Sequence, residues 1–441
     1  MIKTLSVLFL FIMLMGSSHA ETARPNVLLI MADDLGYGDL SSYGAKDMRT
    51  PHLDKLISES MRFDQFHANS CVCSPTRAAL LSGRYPEWVG VPGVIRHYPG
   101  GNWGYLDPGT TLLPSVFQKN GYHTALIGKW HLGLTEENSP NQRGFDEFHG
   151  WLGDMMDDYW KHTRAGQNYM RLNAKKIEPQ GHATDLFTEW SIASIERCAT
   201  SNKPWFQFLA YNAPHDPIQP PPEWLEKVKQ RETGISDKRA GLVALIEHMD
   251  DGIGKVLAAL EKSGQAKNTI VVFTSDNGGD LRFAANNGAL RAGKGTFYEG
   301  GIKVPTCIRW PGKIQAAKTD FRALTMDLIP TLADLCSVPV DLKIEGRSLK
   351  SLLLTGNQPA FERAEFYMWL QKTTKQAMYE GEWKITREDI KSPAELYNLK
   401  TDPLEANNLA AQEPERLQKM TAALDAHLAA AQLVPWQQPK K

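Results

Sequence analysis

The residues of this chain best suited to chemistry are Cys73, Arg77, Asp33, Asp34, Lys129, His131, His215, Asp276, Asn277 and Lys294. Cys73 opens the run Cys73-Ser74-Pro75-Thr76-Arg77, and Ala78 to Leu81 continue it as strong helix formers. A hydroxyl at Ser74 and a proline at position 75 predict a helix start: the hydroxyl satisfies a free backbone N–H, and proline has none to lose. Cys73 then lies at a helix mouth, where unpaired N–H groups and the helix dipole favour an anion. Arg77, one turn on, can return its charge toward the sulfur. A sulfur so placed is a candidate nucleophile. A small buried residue under a capped helix is the plainer alternative, and these two residues alone do not separate the readings.

Asp33, Asp34, Asp276 and Asn277 offer hard oxygen ligands and no soft ones, which suits Ca²⁺ or Mg²⁺ and not zinc. Calcium suits the set better, because strand ends and loops tolerate irregular geometry. Lys129 and His131 lie in Gly128-Lys129-Trp130-His131-Leu132-Gly133, His215 lies in Pro214-His215-Asp216-Pro217, and Lys294 is flanked by two glycines. Singly, each reads as an ordinary surface group. Together on one rim they would suit an anionic ester.

Four apolar runs must bring them there: Asn26 to Met31, Thr124 to Ile127, Pro204 to Tyr211 and Thr269 to Phe273. Continuous apolar runs of strand length fit strands buried on both faces. Each ends on one of the polar groups above. Helical patterns separate them, the clearest carrying Leu242, Leu245, Ile246, Met249, Ile253, Val256, Leu257 and Leu260 on one face. The alternation predicts an α/β fold, a large, mostly parallel mixed sheet sandwiched by helices, whose strand carboxyl ends form the ligand site. From about Pro359 the texture changes to short strands, including Glu365 to Trp369, then an amphipathic helix marked by Leu417, Met420, Leu424 and Leu428. The expected division is a catalytic domain over residues 21–355 and a C-terminal α+β subdomain, a small antiparallel sheet plus helix, over 356–441.

Cys73-x-Pro75-x-Arg77 followed by Leu81-Ser82-Gly83-Arg84 resembles the signature of the sulfatase family, whose fold is alkaline phosphatase-like. Thr76 stands where many members carry serine or alanine. The resemblance extends through Gly128 to Gly133, Pro214 to Pro217, and Gly293-Lys294 to Glu299-Gly300-Gly301. It keeps the family's order over roughly residues 24 to 410, and is nearest the arylsulfatase-like branch. It implies a sulfuric ester hydrolase in which a formylglycine-generating enzyme oxidises Cys73 to Cα-formylglycine. It also implies Ca²⁺ bound by Asp33, Asp34, Asp276, Asn277 and the oxygen of residue 73. In that scheme Arg77 helps ionise the hydrated aldehyde, and Lys129 and Lys294 hold the sulfonyl oxygens. His215, with Lys294, protonates the leaving alcohol, and His131 is the base that releases sulfate. A phosphate or phosphonate ester hydrolase of the same fold, or a non-catalytic binder of sulfated glycans, are the alternatives. A sulfated carbohydrate is the expected substrate. Arg96 to Trp103 and Gly150 to Trp160, which mix aromatic and charged groups, are its candidate contacts, with ordinary surface loops as the plainer reading.

Lys+Arg number 49 against Asp+Glu 50, so no electrostatic footprint for nucleic acid or an anionic membrane is present. Five cysteines form neither a disulfide framework nor a zinc spacing. Lys3, the apolar run Leu5 to Met15 and Ser18-His19-Ala20 read as a secretory signal peptide cleaved after Ala20. The expected product is an exported protein, periplasmic or secreted, with no stable membrane anchor.

Overall fold

The computed structural model describes residues 24–98, 105–201, 203–359, 363–370 and 373–431, so the signal-peptide segment lies outside the described residues. Its centre is a ten-stranded sheet. In chain order the strands are β1 (Asn26–Ala32), β2 (Met61–Phe63), β3 (His123–Lys129), β4 (Glu147–Trp151) and β5 (Met170–Leu172). They continue as β6 (Lys175–Lys176), β7 (Trp205–Ala210), β8 (Thr269–Ser275), β9 (Thr306–Arg309) and β10 (Ala317–Thr319). Their spatial order is β10-β2-β9-β8-β1-β7-β3-β4-β5-β6. The inner five, β8-β1-β7-β3-β4, are parallel. Antiparallel pairs join β8 to β9 and β4 to β5 on either flank.

The apolar run of β1 is explained by its two buried faces. Val27, Leu29 and Met31 enter one core with helices α2 (Cys73–Ser82), α3 (Leu113–Lys119) and α6 (Leu328–Leu335). Leu28, Ile30 and Ala32 enter the other with α1 (Pro51–Ser58), α4 (Ala183–Ala199) and α5 (Asp237–Lys262). A strand covered on both sides has no polar alternation to show. On α5 the expected face is buried except Leu257, which is half-buried.

Beyond the sheet, β11 (Glu365–Leu370), β12 (Thr374–Glu380), β13 (Trp383–Arg387) and β14 (Glu395–Asn398) form an antiparallel sheet in sequential order. Helix α7 (Pro414–Ala431) packs on it through Met420 and Leu424, against Met378, Ile385 and Leu396. Among the described residues no helix is long and apolar enough to cross a membrane. All five cysteines are buried thiols without a disulfide.

Asp250 of α5 caps α1, its carboxylate accepting from the backbone N–H groups of His52 (3.1 Å) and Leu53 (2.7 Å). Burial raises its pKa from 3.8 to about 7, against the two N–H donors. The folded state therefore holds a proton that the unfolded chain has released. That contribution is full below about pH 4 and is lost as pH rises toward 7, at about 1.4 kcal/mol per pH unit. Melting wild type and Asp250→Asn in parallel from pH 4 to 8 should show wild type losing stability relative to the variant over this window. A constant difference would remove Asp250 as the titrating group.

Candidate active site

Register builds the site. Ala32 pairs with Ser275 across β1 and β8, so Asp33 and Asp276 leave neighbouring strands together. Met31 pairs with Ala210 on β7, which pairs with Gly128 on β3, so Lys129 emerges on the same rim. Gly128 is required there: its φ is +102°, and a Cβ would sit 2.0 Å from the Ala210 carbonyl oxygen. The carboxyl ends of four adjacent parallel strands thus converge, as open α/β sheets place their ligands.

Helix α2 supplies the sulfur. All ten of its residues are buried, so it lies inside the molecule and not on an amphipathic surface. The start differs from expectation: Val72 is the N-cap, and Cys73 is itself the first helical residue. The Ser74 hydroxyl instead accepts from the Ile95 N–H at 3.1 Å and ties down the loop that enters the site. Gly83, at φ +67°, ends the helix by donating to the Ala79 carbonyl at 2.9 Å, which accounts for the glycine after Leu81-Ser82.

Around Cys73 the charges are paired. Arg77 does not fold back on the sulfur alone; Nε and a terminal nitrogen donate to Asp276 Oδ2 at 3.0 and 2.8 Å. Another terminal nitrogen donates to the Lys129 carbonyl at 3.2 Å. Lys129 Nζ lies 2.5 Å from Asp33 Oδ2 and Lys294 Nζ 2.5 Å from Asp34 Oδ2. Asn277 Nδ2 donates to Asp34 Oδ1 at 2.8 Å, and Cys73 Sγ is 4.0 Å from that oxygen. Burial opposes ionising Asp33, but Lys129, His215, Arg77 and Lys294 together hold its pKa well below the usual range. Burial and then Asp33 push the Cys73 thiol well up. A thiol so placed is a poor nucleophile.

Two acceptors in this nest stand out. Asp33 Oδ1 and Asn277 Oδ1 are buried and accept no hydrogen bond. An orphaned buried acceptor costs about 1–3 kcal/mol. With Asp34 and Asp276 they make an all-oxygen set, which fits a hard divalent cation. The donor chemistry and the orphaned oxygens agree.

Both histidines have their tautomers fixed by neighbours. His131 Nε2 lies 2.8 Å from the Ile95 carbonyl and donates to it, leaving a buried Nδ1 lone pair without a partner. Burial, with Lys129 and Arg77 nearby, holds the His131 pKa well below its ordinary value. His215 Nδ1 donates to the Asp216 carbonyl at 2.7 Å, so Nε2 accepts from Lys294 Nζ at 3.1 Å. Burial disfavours the Lys294 ammonium, but Asp34 and the Cys73 sulfur outweigh that and raise its pKa.

A cavity of about 460 Å³ opens over the site. Cys73, His131, His215 and Lys294 line it. Lys129, Asp33, Asp276 and Asn277 do not; they lie fully buried beneath. Arg96 and Asp154, from the two loops singled out as substrate contacts, are on the wall, whereas residues 99–103 of the first loop lie outside the described residues. Trp151 is buried in the core below. Met155, from the second of those loops, lines the cavity too; Val94, Arg282 and Trp369 also line it, and no spacing in the sequence points to these three. Arg282 sits on a single turn after the Asp276-Asn277 strand end, which is the one signal that could have found it.

The family model Sulfatase matches residues 25–338, and the model N-sulphoglucosamine sulphohydrolase, C-terminal, matches residues 292–433. N-acetylgalactosamine-6-sulfatase of Mus musculus is 31% identical over 383 residues, covering 82% of this chain and 71% of that protein. Arylsulfatase of Hemicentrotus pulcherrimus is 28% identical over 397 residues, covering 85% and 70%. The crystal structure of Ps i-CgsB with k-i-k-neocarrahexaose superposes with a TM-score of 0.85 at 29% identity, covering 95% of this chain and 94% of that one. The chain, a sulfuric ester hydrolase, belongs to the sulfatase family.

Proposed function

We propose that the protein is an exported sulfatase that removes sulfate esters from a sulfated carbohydrate, through a formylglycine formed from Cys73. The observation that carries this reading is the placement of Cys73 at the floor of one polar cavity with His131, His215 and Lys294, directly above the oxygen nest. The mammalian N-acetylgalactosamine-6-sulfatase and the complex of Ps i-CgsB with k-i-k-neocarrahexaose support a sugar substrate. The signal-like segment at residues 1–20 supports export, and a formylglycine-generating enzyme is the maturation partner.

Asp33, Asp34, Asp276 and Asn277 would hold a Ca²⁺ together with the oxygen of residue 73. When bound, the ion supplies positive charge that favours an ionised oxygen at that residue. The chain's own groups do the rest. The hydrated aldehyde of residue 73 would supply the nucleophile: one hydroxyl, its proton released to solvent through the open cavity, would bond to sulfur as the bond to the sugar oxygen breaks. Lys294 faces the cavity and neutralises charge on the sulfonyl oxygens. Lys129 acts from below, by fixing Asp33. The leaving alkoxide takes a proton from the Lys294–His215 pair, whose 3.1 Å contact lets one member restore the other. His131 Nδ1, neutral and unpartnered, then accepts the proton of the second hydroxyl. The C–O bond to sulfate breaks and the aldehyde returns.

Peptide mass analysis of active protein tests the reading: residue 73 should carry an aldehyde. A fully active preparation with an unmodified thiol would refute it. Parallel assays on 4-nitrophenyl sulfate and 4-nitrophenyl phosphate should favour the sulfate. Lys294→Ala should lower kcat by about 10²–10³-fold, the scale for one oxyanion donor, and a near-normal rate would remove Lys294 from the chemistry.

A further inference from the structure

The C-terminal sheet reaches back to the catalytic loop. Trp369 of β11 lines the cavity beside Lys294 and Gly295, although 75 residues separate Trp369 from Lys294 in sequence. A Cβ at Gly295 would stand 3.6 Å from the six-membered ring of the indole, so the ring lies against the backbone that carries Lys294. Two contacts hold this arrangement. Lys375 of β12 donates to the Gly295 carbonyl at 3.0 Å, and its ammonium lies 5.4 Å from the centroid of the Trp369 ring. The pair Trp369–Lys375 is in register across β11 and β12. At the edge of the sheet the Leu370 N–H donates to the Pro92 carbonyl at 2.8 Å, joining β11 to the loop that carries Val94.

The indole is half-buried, and Lys375 and Gly295, which bond to each other, hold it beside the sulfate-handling ammonium. Pockets that bind organic ligands combine such an apolar wall with a few placed polar groups. Polar groups are present: Asp154 and Asp216 also line the cavity. Asp154 is immobilised by Arg164, whose Nε and a terminal nitrogen donate to its two oxygens at 3.0 and 3.2 Å. An aromatic face presents itself to the C–H face of a pyranose, and carboxylates accept from its hydroxyls. Resting on the sulfated-carbohydrate reading above, we propose that Trp369 is the sugar-binding wall of this cavity, contacting the ring that carries the ester, and that Lys375 is the residue that positions it.

The test compares two esters on the same enzyme: a sulfated monosaccharide and methyl sulfate, which has no ring to contact. Turnover of methyl sulfate by wild type checks the sulfatase reading independently: absence of turnover on every ester would sink that reading and this proposal with it, whereas the ratio below bears on this proposal alone. Trp369→Leu should lower the ratio of kcat/KM on the sugar to kcat/KM on methyl sulfate by about 10-fold or more, chiefly through KM. Trp369→Phe, which keeps an aromatic face at little risk to folding, should restore most of the ratio. Lys375→Met should lower the ratio by a smaller factor, with Lys375→Arg recovering it. An unchanged ratio in Trp369→Leu, or equal losses on both esters, would overturn the proposal.

Discussion

Cys73→Ser is expected to be sulfated once and to stop. Serine places one hydroxyl where the proposed hydrated aldehyde would place two, so the first O–S bond can form, but no second hydroxyl remains to push sulfate out. Steady-state turnover should fall below detection on any ester, and intact mass should show a stable sulfate adduct on residue 73. The surroundings support survival of the fold. Cys73 is buried at the first position of α2 and serine is slightly smaller. The side-chain oxygen can accept from groups already facing the site, and Lys294 and His215 hold each other without it. Cys73→Ala should be equally inactive and carry no adduct, which separates loss of the nucleophile from loss of release. Multiple turnovers by Cys73→Ser would refute the two-hydroxyl scheme. So would an unmodified Cys73→Ser protein after long incubation with substrate, because the first half-reaction needs only one oxygen.

The floor of this site and the part of its wall that carries Arg96 and Asp154 can be read from the chain, and the part that carries Trp369 cannot, for a physical reason. Asp33, Lys129, His215 and Asp276 each follow an apolar strand, and a doubly covered parallel sheet writes itself as apolar runs ending at one rim. Register then does the assembly, and register between parallel strands follows from burying the same faces. Trp369 comes from a different sheet. Its strand reads as an ordinary antiparallel piece, and contacts with distant segments, Lys375 with the Gly295 carbonyl and the Leu370 N–H with the Pro92 carbonyl, bring it to the cavity. Such a contact between distant segments leaves no periodicity. The sense of Lys129 was also hidden, since a lysine at a strand end does not say whether it points into the cavity or, as here, down onto Asp33. The helix starts two residues before the Ser74-Pro75 cap that the sequence predicts: Val72 is the N-cap, and the Ser74 hydroxyl serves the Ile95 loop instead.

Removal of the metal ion is expected to abolish activity and lower thermal stability together. Three carboxylates, Asp33, Asp34 and Asp276, share this site with Arg77, Lys129 and Lys294, so charge alone does not demand an ion. The geometry does. Asp33 Oδ1 and Asn277 Oδ1 are buried without a hydrogen bond, though every neighbouring oxygen of the nest has a donor. Two orphaned acceptors at about 1–3 kcal/mol each would be a large fraction of a domain's net stability unless something satisfies them. A bound cation does so and stabilises only the folded state, by about 2.7 kcal/mol when its concentration is 100 times its Kd. Protein dialysed exhaustively against a chelator should therefore melt several degrees lower, and Ca²⁺ should restore both Tm and turnover. Asn277→Ala removes one orphan and one ligand at once. Because Asn277 also donates to Asp34 Oδ1, the variant should lower the Tm of both forms, and it should in addition shrink the calcium-dependent rise in Tm, whereas a purely structural asparagine would lower both forms equally and leave that rise unchanged. A metal-free protein with unchanged Tm and full activity would show that the nest is a network of ion pairs and nothing more.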